Sequence, residues 1–161
     1  MYDARINGRP VGDAVLEPAN TDFADRVQYA TYDVTKRLRR GANTIGVELG
    51  NGMANVVSTA DRYRKLYGNL SDPKLLAQLE ITLADGTVRR IASGPDWRTT
   101  LGPTTSSNWY GGEDYDARRE LPNWDRPGGT APAGAPPPPL PHPAPPPTRP
   151  RSAPARPSRS G

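Results

Sequence analysis

Ten residues of this sequence, WYGGEDYDAR at positions 109–118, combine side chains that hold sugars with side chains that can cleave them. Aromatic rings stack against the C–H face of a sugar, and carboxylates accept hydrogen bonds from its hydroxyls. The two adjacent glycines let a backbone approach a ligand closely. The residues predicted to bind substrate are Trp109, Tyr110, Glu113, Asp114, Asp116 and Arg118.

Acid/base hydrolysis is the more demanding interpretation of the same residues. Two positions apart on a strand, Asp114 and Asp116 would have Cα atoms about 6.5–7 Å apart. Inverting glycosidases place their two carboxyl groups roughly 6.5–9.5 Å apart, and one of the two needs a raised pKa. The arginines at 118 and 119 instead favour ionised, paired carboxylates. We therefore predict no catalytic residue here, and expect that this chain alone does not catalyse a reaction.

Two further interpretations of the acidic cluster stay open. Calcium takes six to eight oxygen ligands, so these acids would need help from another carboxylate, for which Asp22 is the candidate metal ligand. Alternatively, the aromatics anchor a closing strand while the acids pair with arginines. No obligatory cofactor is predicted, and calcium is the one the site could take.

Composition excludes several other chemistries. The sequence has no cysteine, and its single histidine, His142, lies in a proline-rich stretch, so thiol and histidine catalysis in a folded core are excluded. The formal net charge of +4 comes from the last 35 residues, because acids and bases balance before them. A balanced folded part argues against a nucleic-acid partner. No signal sequence or membrane span is evident, which predicts a cytoplasmic protein, or a secreted one if a segment precedes it.

The elements that would position these residues are predicted to be β-strands. Alternating apolar residues in YDARI, NTIGVEL, LLAQLEITL and TVRRI indicate strands, and RVQYATYDV indicates a strand buried on both sides. Asn7-Gly8 and Asp85-Gly86 predict tight hairpins. Asp33 or Thr35 could cap one helical turn that ends by Gly41. The pattern predicts an all-β fold, an antiparallel jelly-roll β-sandwich, over residues 1–126.

The last 35 residues, 127–161, differ sharply in composition. They hold 14 of the 20 prolines and no acidic residue, so they cannot form a core and are predicted to be a disordered tail. Its proline runs could bind an aromatic groove, which would make the chain an interaction protein. GC-rich DNA translated out of frame would give a similar composition.

The ordered motifs of residues 2–125 resemble a known family. ING, TDF, RVQYATYDVT, GANTIGVELGNGM, PKLLAQL, DWRTTLGP and GGEDYDAR occur in the order found in the N-terminal domain of bacterial α-L-rhamnosidases. The resemblance implies an accessory β-sandwich attached to an (α/α)6 catalytic barrel, in an enzyme that releases terminal L-rhamnose with inversion. Relatives of such sandwiches bind rhamnose, in some cases with calcium.

The resemblance also implies partners and marks departures. A rhamnose-containing glycan and the catalytic module of the parent enzyme are the expected partners, and the sequence contains no such module. Asn20 stands where many relatives carry a tryptophan, so one aromatic sugar platform is expected to be missing. We therefore predict an accessory, carbohydrate-recognising domain without its catalytic module, with a purely structural domain fragment as the alternative.

Overall fold

The computed structural model describes residues 1–23, 25–59, 62, 68–69 and 72–129. In these ranges the chain forms nine strands and two short 3₁₀ turns, and every strand pairing is antiparallel. The strands are β1 (Tyr2–Ile6), β2 (Arg9–Pro10), β3 (Ile45–Leu49), β4 (Asn55–Val56), β5 (Gly68–Asn69), β6 (Gln78–Thr82), β7 (Val88–Ala92), β8 (Thr104–Asn108) and β9 (Gly112–Tyr115). The all-β antiparallel class is thereby confirmed. The jelly-roll connectivity stays a prediction.

The first sheet has the order β2-β1-β3, and its hairpin follows the predicted turn. Asn7 and Gly8 have φ values of 53° and 80°, as a turn with two left-handed central residues requires. The Asn7 side chain also accepts from the backbone N–H of Thr44 at 3.0 Å and donates to the carbonyl of Arg37 at 2.9 Å. One turn residue therefore joins the first hairpin to the chain entering β3.

The β6–β7 hairpin also forms as the local pattern predicts. Asp85-Gly86 reverses the chain, with Gly86 at a φ of 83°. Along β6 the burial alternates, so that Leu79 and Ile81 are half-buried while their neighbours are exposed. On the exposed face Glu80 and Arg90 are cross-strand partners with an ion pair of 2.8 Å. The period-2 pattern correctly assigned the two faces.

The strand predicted for RVQYATYDV, residues 26–34, is wrong. The structure assigns no strand there, and no backbone hydrogen bond joins residues 27–33 to another described residue. Tyr32 is the anchored side chain of this segment, with its hydroxyl bonded to the hydroxyl of Tyr2 and the carboxylate of Glu17. A strand needs a neighbour as well as an alternating sequence, and the described part of the chain supplies none.

The helical turn is shorter than predicted. A 3₁₀ turn spans Thr35–Arg37, and Leu38 is already extended. The Asp33 carboxylate accepts from the Thr35 N–H at 3.0 Å, although the residue in the N-cap position is Val34. The predicted acceptor is therefore used, one residue further from the turn than a standard N-cap.

Residues 121–129 return to the first sheet. The Trp124 ring lies directly on Gly46 of β3, leaving no room there for a side chain. The carbonyl of the buried Asp125 accepts from the Gly8 N–H at 2.9 Å, and its carboxylate lies 3.7 Å from Arg5. This closing segment ends in a turn at Gly129, and the rest of the predicted tail, residues 130–161, lies outside the described residues.

Few apolar side chains of the described ranges are buried. Ile6 and Val56 are the buried hydrophobic residues there, and several large apolar side chains are exposed. The strands form separate two- and three-stranded sheets. Within the ranges given above, no helix is long and apolar enough to span a membrane.

Candidate functional site

The opening motif forms the tip and second strand of the β8–β9 hairpin. Asn108 pairs with Gly112, and residues 109–111 make the connection. A register shift between Thr104 and Ser106 marks a bulge in β8. The hairpin thus presents Trp109 and Tyr110 at one end, while the acidic residues follow along β9.

Asn108 anchors the hairpin tip from inside. Its side chain is 5% exposed, and its Oδ1 accepts from the backbone N–H groups of Tyr110 at 2.8 Å and Gly111 at 2.7 Å. Its Nδ2 donates to the carbonyl of Val57 at 2.6 Å, which ties the tip to the chain after β4. The sequence interpretation missed this residue, although asparagine before a glycine-containing turn is a recognised signal for such side-chain bonds.

Gly111 lets the tip pack against a neighbouring loop. A side chain here would overlap the hydroxyl of Thr59, whose β-carbon and methyl group would lie only 3.1 Å from the new carbon. Thr59 is itself buried. Glycine is therefore required at position 111 so that the backbone of the tip can pack closely against Thr59.

The two tip aromatics differ in access to solvent. Trp109 is half-buried, whereas Tyr110 is 52% exposed. A third aromatic, Tyr115, is also exposed, and its hydroxyl donates to Glu120 at 2.7 Å, which raises the pKa of the phenol. Tyr110 consequently offers the accessible ring at the tip.

Two of the three acids of the motif form ion pairs with described arginines, and the third forms none with a described residue. Asp114 pairs with Arg62 at 2.7 Å, and Arg62 also donates to the carbonyl of Glu113 at 3.4 Å. The Glu113 side chain is exposed on β9 and forms no ion pair with another described residue. Among the residues that the structure describes, Glu113 is therefore the carboxylate of β9 that no cation pairs with.

Asp116 and Arg118 bind each other. Asp116 caps the second 3₁₀ turn (Ala117–Arg119) through the Arg118 N–H, and its two oxygens accept from Nε and Nη2 of Arg118 at 2.8 Å each. These bonds, with a smaller contribution from the nearby Arg119, hold the pKa of Asp116 below its usual range. A carboxyl with a lowered pKa cannot serve as the protonated acid of a glycosidase pair.

Asp22, the predicted metal ligand, lies in a separate turn. Its carbonyl accepts from the backbone N–H groups of Asp25 at 3.0 Å and Arg26 at 2.7 Å. Among the residues the structure describes, no group of three or more histidine or carboxylate side chains is close enough to hold a metal ion. Calcium at Asp22 stays a prediction.

Polar side chains in and after residues 50–52, which we call the GNG loop, support the hairpin. Asn51 donates from its backbone to Ser107 Oγ at 3.3 Å and from Nδ2 to the Ser107 carbonyl at 3.1 Å. Asn55, which is buried, donates in turn to Asn51 Oδ1 at 3.1 Å. The sequence does not reveal this support, because contacts between residues more than fifty positions apart leave no local signal.

Comparison with known proteins gives one consistent family. The model of the family described as "Alpha-L-rhamnosidase N-terminal domain" matches residues 1–156. An α-L-rhamnosidase of Streptomyces avermitilis is 47% identical over 129 residues, which are 80% of this chain and 12% of that protein. An α-L-rhamnosidase of Formosa agariphila is 39% identical over 125 residues, covering 77% of this chain and 13% of the relative.

Solved structures agree with the sequence comparisons. The crystal structure of Streptomyces avermitilis α-L-rhamnosidase complexed with L-rhamnose superposes with a TM-score of 0.72 at 41% identity. The superposition covers 84% of this chain and 13% of that one. This chain therefore spans about an eighth of the length of the relatives that it matches.

Proposed function

Because the chain belongs to the α-L-rhamnosidase N-terminal domain family, we propose that it is an accessory domain that recognises carbohydrate at the β8–β9 hairpin. The ligand class is a glycan bearing L-rhamnose. The catalytic module of the parent enzyme is the protein partner, and the whole protein is a glycoside hydrolase.

The observation that carries this proposal is the construction of the hairpin tip. Tyr110 is 52% exposed on a backbone held by Asn108 and Gly111, so the backbone that carries the ring is positioned before a ligand arrives. Preorganised aromatic groups bind with a smaller entropy loss than mobile ones. A neutral sugar offers C–H groups for stacking on such a ring.

The hairpin supplies a polar partner for the same ligand. Glu113 is the second residue of β9, just beyond the tip, and can accept from sugar hydroxyls. Trp109 supports the tip as a half-buried ring. Asp114, Asp116 and Arg118 are held in ion pairs, so in this proposal they shape the hairpin around the ligand.

Catalysis is assigned to the rest of the parent enzyme. The lowered pKa of Asp116 removes this residue as the poised acid that hydrolysis by an Asp114–Asp116 pair would require. The relatives extend far beyond the matched region, which leaves ample length for a separate catalytic module.

Titration with L-rhamnose, followed by tryptophan fluorescence, tests the proposal. We expect a saturable change for the wild type, measured with and without calcium. Tyr110→Ala should weaken binding about tenfold, because it removes the accessible stacking ring. Tyr29→Ala, which removes an exposed tyrosine outside the hairpin, is the matched control and should bind as the wild type does.

A purely structural domain is the second candidate. The ion pairs of Asp114 with Arg62 and of Asp116 with Arg118 favour it, since paired carboxylates make poor ligands for hydroxyls. Absence of any saturable fluorescence change in the wild type would support this candidate over sugar recognition.

A further inference from the structure

Residues 27–32, with sequence VQYATY, have the composition of a β-strand but are largely exposed to solvent. They contain no charge and no proline, and they lie between Arg26 and Asp33. Val27 is 65% exposed and Tyr29 is 90% exposed. Exposed strand edges in soluble proteins are usually protected by lysine, proline or a bulge. The sequence of this segment is typical of a strand that pairs with a neighbour, but no described strand pairs with it.

The segment is nevertheless held at one end. The Tyr32 ring lies against Gly12, with the nearest ring carbon 2.6 Å from where a β-carbon would stand. The Tyr32 hydroxyl meets Tyr2 and Glu17, and the Tyr2 hydroxyl donates to the same Glu17 oxygen at 3.0 Å. Burial and the neighbouring carboxylate raise the pKa of Tyr2 to about 12. These contacts fix the segment on the first sheet, so it is positioned to receive a partner.

A second apolar pair flanks the same anchor. Val15 and Leu16 immediately precede Glu17, and they are 86% and 58% exposed. Their neighbour Glu17 contacts Tyr32, and together with residues 27–32 we call this pair the docking surface. Its backbone amides at 27–32 make no hydrogen bond to other described backbone groups, so they are open to a partner strand.

The length of the relatives indicates what covers this surface. The chain matches 12% and 13% of two α-L-rhamnosidases, so most of the polypeptide of such an enzyme lies outside it. Apolar residues next to open backbone groups suit an extended segment with apolar side chains. A nucleic acid would not suit this surface, because the surface carries no cation to pair with phosphates.

We propose that Val15, Leu16 and residues 27–32 form an interdomain docking surface, which receives an extended apolar segment from the part of the α-L-rhamnosidase polypeptide outside this chain. The inference rests on the accessory-domain part of the proposed function and is independent of sugar binding.

Binding in trans tests the docking surface. The full 161-residue chain is mixed with Streptomyces avermitilis α-L-rhamnosidase from which the matched region has been deleted. The expected result is a one-to-one complex in which amide hydrogen exchange at 27–32 slows at least about tenfold relative to the free chain. Intact Streptomyces avermitilis enzyme should not bind, because its own domain occupies the site.

Paired variants identify the surface. A V27D/Y29D chain should bind at least about tenfold more weakly, because a carboxylate would be buried in an apolar contact. L76D is the matched control and should bind normally, since Leu76 is 79% exposed outside this surface. Circular dichroism checks that both variants keep the wild-type spectrum.

A second experiment is used if the enzyme that lacks its matched region does not fold. Residues 1–129 are then placed in the intact enzyme instead of its own matched region, and exchange at 27–32 is measured in the chimera. Unchanged exchange in both arrangements, equal effects of V27D/Y29D and L76D, or protection through dimers of the chain itself would each overturn the proposal. Loss of L-rhamnose binding with intact docking would overturn only the sugar-recognition proposal.

Discussion

A single buried asparagine determines the geometry of the candidate site. Asn108 supplies both acceptor bonds for the tip and the donor bond to Val57, although the sequence directs attention to its aromatic and acidic neighbours. The predicted residues Trp109, Tyr110 and Glu113 could be chosen from their chemistry alone. Their support could not, because it depends on residues brought together only by folding.

We predict that Asn108→Ala destabilises the hairpin and weakens binding of L-rhamnose. Two backbone N–H groups lose their acceptor, at a cost of about 1–3 kcal/mol. Asn108→Asp keeps the acceptor for Tyr110 and Gly111 but sets a buried carboxylate oxygen against the Val57 carbonyl, so it should restore the tip only in part. Chemical denaturation measures the stability change. Equal effects of both substitutions would contradict the assigned role of Oδ1.

The ion pair of Asp116 and Arg118 predicts a pH dependence. The pKa of Asp116 in the folded chain lies below its ordinary value of 3.8, so the bonds to Arg118 contribute stability above that value. The contribution is lost as the pH falls through the lower, folded-state pKa. Nuclear magnetic resonance titration of the Arg118 amide should show this transition, and Asp116→Asn should remove it. A transition centred above the ordinary value would contradict the pairing.

Among the secondary-structure elements, local sequence signals correctly predicted the features that depend on residues close in sequence. Asn7-Gly8 and Asp85-Gly86 gave both hairpins, and the alternation in β6 gave its faces. The strand at residues 26–34 was predicted wrongly because its sequence shows strand propensity but cannot show whether a neighbour is present. Pairing is a non-local property, and the same limitation hid the support of β8 by the GNG loop.

Close packing at Gly111 predicts a steric effect of substitution. Gly111→Ala should destabilise the chain by about 1–3 kcal/mol, because the methyl group overlaps Thr59. Gly94→Ala is the matched control, since a β-carbon at Gly94 meets no neighbour. Adding Thr59→Ala should restore part of the loss. Equal stability of the two glycine variants in denaturant would show that the tip does not pack as described.

For the whole molecule, the small number of buried apolar side chains limits stability. Only Ile6 and Val56 are buried among the hydrophobic residues described, and the other described apolar side chains are half-buried or exposed, so unfolding exposes less additional apolar surface than in a fully packed domain. We predict a denaturant m-value well below that of a fully packed domain of similar length, since m scales with newly exposed surface. A steep, cooperative transition with an ordinary m-value would contradict this. Binding of the catalytic part in trans should raise the value.

The proposed interdomain docking would account for the exposed apolar residues of the molecule. A domain that makes up an eighth of a larger enzyme can leave apolar residues to be covered by its neighbours. The closing segment brings residues 121–129 back to the first hairpin, where the Asp125 carbonyl accepts from the Gly8 N–H. The alternation of apolar residues and the turn signals predicted the class, whereas the exposed surfaces required the structure.

Carbohydrate recognition at the hairpin is tested most directly by mapping L-rhamnose binding with amide and indole resonances of the isotope-labelled chain. The predicted result is a saturable set of shifts centred on Trp109, Tyr110 and Gly111 and extending to Glu113. Shifts that do not saturate, or that centre outside the β8–β9 hairpin, would contradict it.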